Sequence, residues 1–354
     1  DVYQVAASPV NDDVFVHSYS EGRVARVDGV TGETKVLPVT GADVAVGPQG
    51  QLVVYNYVHY FKRLARLDQY DRDGKPLPFP GTATNFVMDI AANHWGHEGT
   101  GSRGFSVSPK GDLVIIGSRE KEEYSVRILG PDGKEKDGIQ GVRGGDGSPV
   151  MDLAGNLYVA SGVRPAGELL PRALQDIGGV TNTYPGMYGS VVKFGPAGGQ
   201  FFYAPADPKK DPSAWPPADA GKLLKLALPG KAEAYIKDAQ WVSPGFTVEP
   251  AGPFCACYTS RFAVDYYGRV FIPDVGLCSV QVVDAANNAL LRFGDYGNAD
   301  SAGKGSAVAT PEIPLSWPYA VSVGKSGVYV SDFVNRRILR VDLVHAAEET
   351  CEVK

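Results

Sequence analysis

The chain has 354 residues, 44% of them hydrophobic, with 43 Gly, 26 Pro and more Tyr (18) than Phe (14). That profile supplies a sizeable core of many short strands and turns and argues against a helical protein. A formal net charge of -6, and no run approaching about 18 apolar residues, argue against a nucleic-acid groove, a polybasic membrane patch and a membrane span.

From its start the sequence alternates apolar with polar or small residues, the period-two pattern of strands, and breaks it at Gly, Asn and Asp turns. The first such unit is "VYQVAASPVNDDVFVHSYSEGRVARVDGVTGETKVLPV". "ADVAVGPQGQLVVYNYVHYFKRLARLDQYDRDGKPLPF", "GFSVSPKGDLVIIGSREKEEYSVRILGPDGKEKDGI" and "GSPVMDLAGNLYVASG" repeat the same grammar. The last two units are the most regular: residues 260–298, and "PYAVSVGKSGVYVSDFVNRRILRVDLV" near the C-terminus. Second strands are predicted to begin at Val14, Leu52, Leu113, Leu157, Val270 and Val328, and third strands to close at Asp28, Asp68, Asp284 and Asp342. One four-stranded sheet cannot cover both its faces, so the repetition predicts an all-β, six-bladed β-propeller as a single domain over 1–354.

The spacing lengthens between Leu157 and Val270. "YGSVVKFGPAGGQFFYA" reads as the outer hairpin of the fourth blade, leaving 163–187 and 203–256 as insertions. The second insertion opens on "APADPKKDPSAWPPADAGK" and contains a hairpin pattern, "KLLKLALPGKAEAYIKDAQWV". The alternative makes that hairpin the core of a seventh blade, but no complete four-strand set can be cut from it.

Several loops carry residues suited to chemistry. "NHWGHEGTGSRG" (93–104) brings together His94, His97 and Glu98, donors that suit zinc or another divalent ion. Its spacing is not the helical HExxH, and Gly96 and Gly99 oppose a helix. The plainer reading packs Trp95 over the channel with the histidines bonded locally. His17 and His59, at the ends of second strands, would join these histidines if they share a face. The loop "GDYGNADSAG" sets Asp295, Asn298 and Asp300 together as oxygen donors for calcium, or as an ordinary solvated turn.

Four cysteines, Cys255, Cys257, Cys278 and Cys351, suit two disulfides in an exported (secreted or periplasmic) protein, with Cys278 bridged to Cys255 or Cys257 and Cys351 to the other. Four reduced thiols, or a thiolate metal site at Cys255 and Cys257, are the alternatives. Arg103 and Arg261 precede innermost strands and would aim a cation at the channel, or pair with a neighbour such as Asp265. The loop aromatics Tyr184, Tyr188, Trp215, Trp241, Tyr258 and Trp317 could stack on sugar rings, hold a peptide, or pack the inserts.

"YGRVFIPDVGLCSVQVVDAANNALLRFGDYGN" and "SGVYVSDFVNRRILRVD" resemble NHL repeats, the second keeping Asn335, Arg336, Arg337 and Ile338 while the first substitutes Cys278, Ser279 and Val280. The resemblance implies that Asp274 and Asp332 hold the following turn through side-chain hydrogen bonds. It also implies either a non-catalytic binding module or, as in related six-bladed amidating lyases, lactonases and esterases, a metal-dependent enzyme. The expected function is therefore binding of a protein, small molecule or glycan on the insert-bearing face through His94, Trp95, His97, Arg103, Tyr184, Tyr188, Trp241, Tyr258 and Arg261. The alternatives are a metal-dependent lyase or hydrolase in the central channel, and an interaction module cut from a larger chain.

Overall fold

The computed structural model describes residues 4–18, 21–59, 64–91, 104–117, 125–136, 142–143, 147–175, 188–203, 217, 219–227, 233–247, 260–301, 305–306 and 311–343. Blade one is built from Gln4–Ala7, Asp13–Ser18, Arg23–Asp28 and Thr34–Thr40; blade two from Asp43–Val46, Leu52–His59, Leu64–Tyr70 and Phe86–Ala91. Blade three uses Phe105–Val107, Leu113–Gly117, Ser125–Leu129 and Val142–Arg143; blade four uses Gly147–Met151, Leu157–Ser161, Tyr188–Phe194 and Ala239–Thr247. Blade five comprises Ala263–Val264, Val270–Asp274, Ser279–Val283 and Ala289–Phe293, and blade six Pro318–Val323, Val328–Asp332 and Arg337–Val341 among the described residues. Neighbouring strands within each blade are antiparallel, and each innermost strand packs on those of the next and previous blades, so the ring closes. The chain is an all-β, multi-bladed propeller.

The reason a strand pattern yields a ring is visible in the core. Successive residues of one strand feed opposite interfaces: Val14 joins the cluster with Tyr319 and Tyr329 of blade six, while Phe15 joins Val44 and Leu52 of blade two. Likewise Val270 and Ile272 face blade four beside Tyr158 and Phe246, and Phe271 faces blade six beside Val321 and Val330. Both faces of each inner strand are buried, which is why these strands read as nearly continuous apolar runs. Each fully buried Val, Leu, Ile or Phe adds about 1.5–3 kcal/mol.

The first and last blades are latched by polar contacts as well. Ala7 N–H donates to Ser322 Oγ (2.9 Å), Lys325 N–H to the Ser8 carbonyl (3.0 Å) and Arg340 Nη1 to the Gly29 carbonyl (2.8 Å).

The fourth blade departs from expectation. Gly199–Tyr203 does not return along Tyr188–Phe194 as an outer hairpin; it crosses to blade three, pairing in parallel with Val142–Arg143 and antiparallel with Glu233–Lys237. Leu224–Ala227 and Arg164–Pro165 extend that sheet further, to eight strands. The crossing follows from packing: the bare Cα of Gly199 lies against the Phe194 ring, and Phe201 meets Phe194 edge-on at 5.6 Å. Ala239–Thr247 then supplies the outer strand of blade four, so part of 203–256 belongs to a blade. The hairpin considered for a seventh blade widens the third sheet instead. No helix among the described residues is long and apolar enough to cross a membrane.

Candidate functional site

The innermost strands enclose a channel with a cavity of about 1290 Å³, walled by Val5, Val44, Val107, Val150, Val264 and Val323 among others. It runs from Arg261 and Ser148 at one end to the tight turns around Pro9, Pro48, Pro109 and Tyr266 at the other. Strand direction places the connections between blades, and the insertion that follows Ser161, at the Arg261 end; the insertion between the third and fourth strands of blade four leaves from the other end.

Arg261 lies just before the first strand of blade five. Its N–H donates to the Tyr319 carbonyl (3.1 Å) and its carbonyl accepts from Val321 N–H (2.8 Å), so its backbone is sewn to blade six. Its side chain crosses to the opposite blade, where Nη2 lies 2.8 Å from Asp43 Oδ2; the two side chains are 12% and 2% exposed. A carboxylate so deeply buried requires such a partner, because taking an unpaired charge out of water is prohibitive. Asp43 Oδ1 also accepts from Val44 N–H at 2.8 Å. Gly104, at φ +108, closes the corner: a Cβ there would sit 3.1 Å from the Arg261 guanidinium carbon and 3.0 Å from the Ser148 backbone. Ser148 Oγ donates to the Ser260 carbonyl across the junction of blades four and five.

His17 is electrostatically coupled to this pair. Burial lowers its pKa; Asp43 and the Gly41 carbonyl oppose that and Arg261 adds to it. Nε2 lies 2.8 Å from the Gly41 carbonyl, which can only accept, so Nε2 carries the proton and Nδ1 keeps its lone pair, with no partner among the described residues. A neutral imidazole with a free lone pair, a guanidinium and a carboxylate thus form the polar set at this end. Arg261 pairs with Asp43, a residue the sequence reading did not single out, while Asp265 is taken by Arg269 at 2.6 Å. The signal was available only as a lone Asp opening the innermost strand of the opposite blade.

A second polar group lies between blades four and five. Asp274 is 3% exposed; its Oδ1 accepts from Leu277 N–H (3.0 Å), and no cation pairs with it among the described residues. Burial raises its pKa to about 7, against the pull of the Leu277 and Gly276 N–H groups and of Arg292. Tyr188 is buried beside it, and burial first, then Asp274, pushes that phenol above its ordinary value. The matching Asp332 is fully satisfied: Oδ1 accepts from Ser316 and Trp317 N–H, and Oδ2 from Asn335 (2.7 Å) and Arg337. Both aspartates hold the following turn, as the family resemblance implied, but only Asp332 has a cation.

The remaining candidates divide. Trp241 is not with Arg261; its Nε1–H donates to the Ala285 carbonyl on a turn at the opposite end, and its ring packs edge-on against Tyr158. Tyr188 is a buried interface residue rather than a surface contact. Cys278 is a free thiol, so the expected bridge to it is not formed; Sγ instead donates to the Val275 and Ser316 carbonyls. Burial, then Asp274, raises its pKa to about 11. In the 294–303 loop, Asp295 Oδ1 accepts from Tyr296 N–H and Asn298 Oδ1 from Asp300 N–H. His94, Trp95, His97, Glu98, Arg103, Tyr184, Trp215, Cys255, Cys257, Tyr258 and Cys351 lie outside the described residues. Among the described residues no group of three His, Cys, Asp or Glu side chains is placed to hold a metal ion.

No protein-family model matches the sequence, and no curated protein matches it. Among solved structures the chain is similar to the PQQ-bound aldose sugar dehydrogenase of Streptomyces coelicolor, at 14% identity and TM-score 0.52, over 96% of this chain and 93% of that one. A gluconolactonase from Xanthomonas campestris gives 14% identity and TM-score 0.45 over 94% and 82%. A streptogramin B lyase gives 11% and 0.42 over 95% and 91%. At such identities the likeness is one of fold.

Proposed function

We propose that the chain is an exported, six-bladed propeller of NHL type that acts on a small molecule in its central channel, as a lyase or hydrolase. The observation supporting this is the Arg261 guanidinium at one end of a cavity large enough for a small ligand, held there by Asp43, with the buried His17 beside the pair. A substrate carboxylate or other oxyanion that takes the place of Asp43 on Arg261 would be gripped by two parallel N–H donors. His17 is 1% exposed, so it acts on Asp43 and Arg261 and does not meet the substrate itself.

The described residues do not by themselves fit a metal ion: they offer one free imidazole nitrogen, and Asp43 is already paired. A divalent ion would rest on His94, His97 and Glu98, where it would polarise a substrate oxygen or lower the pKa of water. The intact Arg261–Asp43 pair favours a second reading, a module that binds a protein or glycan on its insert-bearing face without turnover.

The test measures bound metals and turnover of a panel of small anionic esters and lactones. Wild type is compared with His94→Ala/His97→Ala and with Arg261→Met/Asp43→Asn, which removes both charges together. The proposal expects saturable turnover abolished by the Arg261/Asp43 change in a folded protein. Absence of turnover, with a partner protein co-purifying, would establish the second reading.

A further inference from the structure

We propose that the opposite mouth of the channel is a binding site for a neutral saccharide, built on Tyr266 and Tyr267. The site is independent of the Arg261 end and stands whether or not that end is catalytic.

The turn Asp265–Arg269 joins the first two strands of blade five and lines the cavity's mouth. The fold needs only the aspartate and the glycine there: Asp265 Oδ1 accepts from Tyr267 and Arg269 N–H, and Gly268 takes φ +76. The equivalent turns read "SPVNDD", "GPQGQ", "SPKGD", "DLAGN" and "GKSGV", with no aromatic in any of them. Yet Tyr266 and Tyr267 are 69% and 78% exposed, among the most exposed large side chains described. Two neighbouring aromatic rings left largely in water make an exposed patch that a ligand can cover.

Geometry and charge point to the class of ligand. The two rings meet at 88° with centroids 5.9 Å apart, forming a right-angled corner. Arg269 is tied to Asp265 at 2.6 Å and lies over the Tyr267 ring at 5.5 Å, which fixes that ring. The other charged pair at the mouth, Arg340 and Asp342, is also matched, at 2.8 Å. Lys325, the remaining charge there, has no ion pair among the described residues but is exposed to water, where its pull on an ion is weak. Beyond the rings the wall carries Val5, Val107 and Val264 together with Ser106, Ser108, Ser322 and Ser326, and Ser106 Oγ is buried with no partner among the described residues. Flat apolar surface interleaved with hydroxyl groups complements a pyranose, which presents C–H faces and equatorial hydroxyls.

The test is native affinity electrophoresis in gels containing soluble starch, xyloglucan, laminarin or glucomannan. At least one polysaccharide should retard the wild-type protein. Tyr266→Ala/Tyr267→Ala should raise the apparent Kd about tenfold or more, with an unchanged Tm because the rings are exposed, while Tyr266→Phe/Tyr267→Phe should keep most of the retardation. The proposal fails if no polysaccharide retards the protein, or if the double alanine variant is retarded as strongly. A co-purifying protein that the alanine variant loses, without any retardation, would assign the tyrosines to protein docking and overturn it as well.

Discussion

The corners of blades five and six share a backbone and differ in charge. In each, a strand ends in a buried aspartate and the chain turns through a left-handed residue, Cys278 at φ 50 and Arg336 at φ 51. Around Asp332 the residues three and five positions on are Asn335 and Arg337, and the carboxylate is fully bonded. Around Asp274 they are Leu277 and Ser279, the cation is gone, and the carboxyl is held near neutrality by burial. One geometry thus supports both an ion-paired aspartate and an unpaired one that burial pushes towards its neutral form, and two side chains make the difference.

Removing each carboxylate should expose the difference most strongly. Asp332→Ala leaves Arg337, Asn335 and the Ser316 and Trp317 N–H groups without their acceptor, and should cost about 3–5 kcal/mol. Asp274→Asn at pH 8 should instead be neutral or stabilising. Urea unfolding of both variants checks this, and equal losses would sink the contrast.

The next effect is the pH dependence itself. Asp274 has a folded pKa of about 7 and an ordinary value of 3.8. Between these pH values the unfolded chain is ionised while the folded one keeps its proton, so stability falls as pH rises and levels off above about 7. The full swing is up to about 4 kcal/mol. Asp274→Asn should flatten that part of the stability profile; an unchanged slope would locate the linkage elsewhere.

The smallest effect tests the shared backbone. Arg336 is exposed, so Arg336→Gly should relieve the left-handed strain and stabilise by about 0.5–1 kcal/mol. Cys278→Gly should gain less or lose, because it also removes a thiol bonded to two carbonyls. A matching gain at both positions would show that the thiol contributes nothing.

Much of this was legible beforehand. The second strands begin at or within one residue of the predicted Val14, Leu52, Leu113, Leu157, Val270 and Val328, because a strand buried on both faces between Gly or Asn turns leaves a strong pattern. The route of Gly199–Tyr203 was not legible: its alternation fits any sheet edge, and the choice of blade three depends on the Phe194–Phe201 contact. The Arg261–Asp43 pair was half legible, since the arginine's position ahead of an inner strand could be read but its partner could not. Tyr266 and Tyr267 stood in plain view as "DYYGR", yet their exposure is a property of the ring of turns rather than of the turn.

The link between Arg261 and Asp43 also bears on how the protein comes apart. Blades in a propeller touch only their neighbours, and such assemblies tend to lose order stepwise around the hoop. Here residues 218 apart in sequence are tied across the diameter, like a spoke. Closing so long a loop is entropically costly, so the spoke sets only after the arcs on both sides have formed. Once set, it couples blades that do not touch: fraying that reaches either must break a buried ion pair before it can pass. The hoop is thereby biased towards failing as one body instead of unwinding blade by blade.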